Sequence, residues 1–175
     1  MPIVSVAFVL PALAFFLAGS VTLGSYAADR SGSSNGSTGV VSRYVRPLDQ
    51  SGDGLYHLRL GDVSVRHTYG PTTDIVGRKL RLVGFVSRDE QSPPGANAFT
   101  LTRFRILCCA ADGIAIHLNA TVDEGISLPP IDSWVEVVAT FVDPTTPVPA
   151  NGRIDRALVR ALSIDQIKRP ADPFE

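Results

Sequence analysis

Cys108, Cys109 and Asp112 are the residues of this 175-residue chain whose types and spacing most directly suggest chemistry. The chain has two cysteines, and they are adjacent, at the end of "RFRILCCAADG", residues 103–113. Two thiolates with a carboxylate three residues on supply the soft donor set that zinc or Cu(I) takes. Such a set works only if the donors converge. On a regular strand neighbouring side chains point to opposite faces, so Cys108 would lie with Phe104 and Ile106, and Cys109 with Arg103, Arg105 and Leu107. Joint action on one ion therefore requires the backbone to turn at the pair, and Asp112 and Gly113 are turn residues placed to do it.

Three other accounts of these residues compete. Free cysteine behaves as a small hydrophobe, so Cys108 could simply be buried, with Asp112 only forming a turn. A disulfide between neighbours would need strained geometry. A nucleophile built from Cys109 and His117 would need a thiolate stabilised by positive charge, for which Arg103 and Arg105 are the available sources. His117 alternates with Ala115 and Asn119, opposite Ile114, Ile116 and Leu118, and is expected on the surface. Arg103 and Arg105 are candidates for binding an anionic ligand through their forked donors, or they solvate the surface. Trp134 reads as core or rim packing.

Other catalytic signals are missing. The sequence holds no Gly-x-Ser-x-Gly elbow, His-Glu-x-x-His, P-loop or dinucleotide fingerprint, which ranks binding above catalysis and no enzymatic role as the expectation. With 16 Lys+Arg against 17 Asp+Glu and a net charge of -1, no polybasic cluster exists to neutralise successive phosphates, so nucleic acid is not an expected partner.

The elements that must position these residues divide into three stretches. Residues 1–28 carry no charged side chain and include "VSVAFVLPALAFFLAGSVTLG", long enough for one transmembrane helix. Ser25-Tyr26-Ala27 before Ala28 also resembles a signal-peptidase site, but the length favours a retained single-pass anchor over a signal segment. Residues 29–40 are a flexible Ser/Gly linker. The few charges beyond the span, Asp29, Arg30, Arg43 and Arg46, lean weakly toward a cytoplasmic body.

Residues 41–175 form the globular domain, and its short alternating runs broken by Gly, Pro and Asp predict a mainly β fold. "GRKLRLVGFVSR", "AFTLTRFRILCC", "GIAIHLNA", "SWVEVVATFV" and "RALVRALSIDQI" supply five strands, and Gly84 lies where the first would bend sharply. The expectation is a small OB-like five-stranded barrel over residues 76 to 168. Its predicted core includes Leu80, Leu82, Phe104, Ile106, Ile116, Val135 and Val137. "LGDVSVRHTYGPTTDIVG" ahead of it reads equally as a short helix or an irregular lead-in.

"LRLVGFV", "FTLTRFRILCCAADG", "SWVEVVATF", "IKRPADPFE" and the membrane-exit "LGSYAADR" resemble the YcgQ-like bacterial membrane proteins, named as subunits of two-component permeases. The most specific part is Arg103, Phe104, Ile106, Cys108, Cys109, Ala110, Ala111 and Asp112. Gly113, Ala139 and Phe174 depart from the family's usual pattern, and none of these removes a thiol or Asp112. The resemblance implies a cell-membrane accessory domain on the extracytoplasmic side, with a multi-spanning permease subunit as partner and a link to transport and metal supply. The family has no settled biochemical activity.

Overall fold

The computed structural model describes residues 46–70, 72–87, 97–106, 108, 109, 112–143 and 156–175. The expected anchor and linker lie outside the described residues, among which no helix is long and apolar enough to cross a membrane. A short hairpin comes first, β1 (Asp49–Gln50) and β2 (Tyr56–His57), followed by helix α1 (Leu60–Tyr69). Five longer strands follow: β3 (Lys79–Ser87), β4 (Ala98–Arg105), β5 (Ile114–Val122), β6 (Trp134–Phe141) and β7 (Leu158–Ile167).

These five close on themselves in the order β3-β4-β5-β7-β6, with β6 returning to β3. β5 and β7 run parallel, and the other neighbouring pairs are antiparallel. The closed five-stranded barrel is OB-like, as the alternation predicts. Closure depends on β3 pairing twice, with β6 over Lys79–Phe85 and with β4 over Phe85–Ser87. Gly84 lies at the changeover, where a Cβ would be 2.9 Å from both Leu101 Cγ and the Thr102 carbonyl oxygen. A side chain there would hold the two strands apart, so the bend requires glycine.

Inside, Leu80, Leu82, Leu101, Leu118, Val135, Val137 and Val159 are fully buried, each contributing about 1.5–3 kcal/mol through removal of apolar surface from water. Phe104, Ile106 and Ile116, expected in this core, are only half-buried. Phe104 instead joins a second cluster with Phe85, Ala115 and Trp134. Its ring stacks on Phe85 at 5.8 Å, and Trp134 tilts against Phe85 at 5.6 Å.

The ambiguous lead-in is helical. Arg66, fully buried, joins α1 to its surroundings: its Nε meets Asp74 Oδ2 at 3.0 Å, and its Nη2 donates to the Arg46 carbonyl at 2.6 Å. A buried guanidinium needs both charge and hydrogen-bond partners, and it has them here.

His117 corrects the expectation of a surface imidazole, since it is 6% exposed. Thr102, directly opposite on β4, places Oγ1 2.8 Å from His117 Nδ1 and 2.6 Å from Ser87 Oγ. Both faces of β5 are covered near its middle, so alternation alone assigns the wrong exposure.

Candidate metal site at the β4–β5 corner

β4 ends at Arg105, paired with Ile114 at the start of β5, so the strand stops before the cysteines. The run "AFTLTRFRILCC" thus stops being a strand before its end, and the pair lies on the turn that joint action requires: Cys108 and Cys109 are both exposed, and neither forms a disulfide. Burial of Cys108 as a small core hydrophobe is overturned by the same exposure.

Asp112 builds the corner that replaces the strand. Its Oδ2 accepts the Cys108 backbone N–H at 2.7 Å, its Oδ1 accepts that of Cys109 at 3.4 Å, and its own N–H donates to the Cys109 carbonyl at 3.1 Å. A short polar side chain that satisfies nearby amides competes with continuation of the strand, which is why the chain bends here. The two sulfurs and a carboxylate oxygen of Asp112 consequently lie within 4.8 Å of one another.

Electrostatics at the corner favour the protonated thiol. The Cys108 pKa is raised, first by its hydrogen bond to the Asp112 carboxylate, next by the Cys109 side chain, then by desolvation. A thiol held above its ordinary range is a poor nucleophile near neutral pH, whereas a bound metal ion displaces the proton outright.

The structure does not gather all the predicted residues at this corner. Arg105 is exposed at the end of β4, while Arg103 is half-buried and turns to the chain's final segment. Arg103 Nη2 donates to the carbonyls of Asp172 and Phe174, each at 2.9 Å, and its guanidinium lies 5.5 Å from the centre of the Trp134 ring. His117, on β5 in the buried chain with Thr102 and Ser87, does not join the grouped donors of Cys108, Cys109 and Asp112.

Sequence reasoning missed Glu175. The Glu175 N–H donates to the Phe104 carbonyl at 2.9 Å, and its carboxylate accepts the N–H groups of Leu60 and Gly61 at 2.7 and 2.8 Å. No spacing rule links positions more than a hundred residues apart. Gly61 is a faint signal in retrospect, because a Cβ there would meet Glu175 Oε2 at 2.9 Å.

No curated protein is significantly similar to the chain. Four chains of solved structures match, two of them with the following limited likeness. Yeast RPA bound to ssDNA is 14% identical, over 58% of this chain and 72% of that one, with a TM-score of 0.38. A Leishmania major Friedlin protein described as an aspartyl-tRNA synthetase is 14% identical, over 69% of this chain and 23% of that one, with a TM-score of 0.33. Residues 65–174 match the DUF1980 C-terminal domain, a span from α1 to the final segment that includes the barrel and the cysteine corner, and the chain belongs to that family.

Proposed function

We propose that the chain is a membrane-anchored accessory subunit of the YcgQ-like kind, working beside a multi-spanning permease, and that its β4–β5 corner takes a soft metal ion such as zinc. One observation carries the metal reading: three suitable donors, Cys108 Sγ, Cys109 Sγ and an Asp112 oxygen, lie within 4.8 Å, with both thiols exposed. Zinc takes sulfur at about 2.3 Å and carboxylate oxygen at about 2.0–2.2 Å, so modest convergence of these atoms completes a three-donor site. A fourth position stays open to water or to a residue of the permease, which suits handover of the ion better than permanent storage.

Two adjacent exposed thiols also support a second reading, an extracytoplasmic thiol redox protein. The raised Cys108 pKa weighs against it, because thiol exchange proceeds through the thiolate.

Zinc titration of the reduced protein separates the two. Cys108→Ser and Cys109→Ser should each abolish binding. The metal reading falls if the parent binds nothing, or if either variant binds as tightly as the parent. Labelling with a thiol reagent that cannot cross membranes, applied to intact cells, tests placement: Cys108 and Cys109 should react without permeabilisation.

A further inference from the structure

A cavity of about 330 Å³ opens between the β1–β2 hairpin, the start of α1, β3, β4 and the final segment. Arg46, Arg59, Arg81, Arg103 and His57 line it, together with Glu175. Its volume lies at the small end of ligand sites.

The positive groups are unevenly satisfied. Arg81 is committed, with Asp53 at 2.7 Å and Glu136 at 3.3 Å. Arg46, Arg59 and Arg103 make no ion pair among the described residues, although Asp49 and Asp62 also border the space. Arg103 Nε is buried without an acceptor. Burial lowers the Arg103 pKa, Glu175 and Asp172 oppose that, and repulsion from Arg59 adds to it. Guanidinium groups that repel one another across a cavity are stabilised by an anion placed between them.

The cavity already holds one carboxylate, that of Glu175, on the Leu60 and Gly61 amides. It arrives on a short strap. Among the described contacts, Asp172–Glu175 is held by the Arg103 bonds to two carbonyls and by the pairing of Phe174 and Glu175 with Phe104. Asp172 and Phe174 are exposed. Glu175 is half-buried, and partial desolvation of its carboxylate raises its pKa despite the two amide donors, which makes it a costly occupant.

We infer that this cavity is a binding site for a small polycarboxylate, in which Glu175 is a tethered competitor for the Leu60 and Gly61 amides. One carboxylate of the ligand takes the place of the Glu175 side chain, and the others meet Arg59 and Arg103. Nothing in this inference depends on metal binding at the cysteine corner.

Calorimetric titration of the full chain with citrate tests the site, with sulfate at equal ionic strength as the control. Citrate should bind and sulfate should not. Arg59→Gln and Arg103→Gln should each weaken citrate binding about tenfold or more, the loss expected for a charge-assisted hydrogen bond. Glu175→Gln should tighten it about tenfold, because removing a competing internal carboxylate raises the binding-competent fraction. Arg59 is exposed, so its substitution leaves the fold intact and keeps the test decisive even if a strap variant unfolds. The inference is overturned if the parent and Glu175→Gln both ignore citrate, if sulfate binds equally well, if Arg59→Gln binds like the parent, or if a folded Glu175→Gln binds no tighter.

Discussion

The Asp112 carboxylate accepts the Cys108 backbone N–H at 2.7 Å while also raising the pKa of the Cys108 thiol. One side chain thus shapes the corner and shifts its thiol further toward the protonated form. The relationship ties loop geometry to thiol chemistry and can be broken by a single substitution.

Asp112→Ala should lower the Cys108 pKa, because the largest cause of its elevation is removed. In a Cys109→Ser background, alkylation of Cys108 by iodoacetamide at pH 7 should be faster in Asp112→Ala than with Asp112 present, since the thiolate is the reacting form. Zinc affinity should fall in Asp112→Ala with both cysteines retained, about tenfold or more, as one donor and the bend that converges the sulfurs are lost together. An unchanged alkylation rate would show that Asp112 does not control the thiol.

Gly84→Ala tests barrel closure. The added methyl would lie 2.9 Å from Leu101 Cγ and from a backbone oxygen, and the backbone cannot yield as a flexible side chain can. Overpacking of this kind costs about 1–3 kcal/mol. The midpoint of urea unfolding should fall accordingly with little change in slope. A midpoint equal to the parent's would mean that β3 turns between its partners without needing the missing Cβ.

Glu175 predicts a pH dependence of definite sign. Its pKa in the folded chain is raised above the ordinary 4.5, so the folded state holds the proton more tightly than the unfolded state does. Its contribution to stability is fully present below 4.5 and is lost as pH rises through the elevated value. Denaturant unfolding of the parent and of Glu175→Gln across this window should show the parent losing stability relative to the variant as pH increases. A difference that stays constant, or grows in the parent's favour, contradicts burial as the dominant influence on this carboxylate.

The barrel was legible because its signals are local. Alternation identified all five long strands, and Gly84 between Val83 and Phe85 marked the bend. The end of β4 was not legible, because the apolar run continues through Ile106 and Leu107 while Asp112, farther along, captures the Cys108 and Cys109 amides. Periodicity cannot see a side chain competing for backbone donors. It likewise misplaced His117, since alternation separates two faces of a strand but does not tell whether both are covered. Arg103 was recognised as a possible anion ligand, but its cavity was invisible: Arg46, Arg59, Arg81 and Glu175 reach it from distant parts of the sequence.

X-ray absorption at the zinc edge, on the reduced protein loaded with one equivalent of zinc, tests the proposed metal corner most directly. Two sulfur scatterers at about 2.3 Å with oxygen or nitrogen at about 2.0–2.2 Å are expected, falling to one sulfur in Cys108→Ser if any zinc is retained. A first shell of oxygen and nitrogen alone would contradict the account.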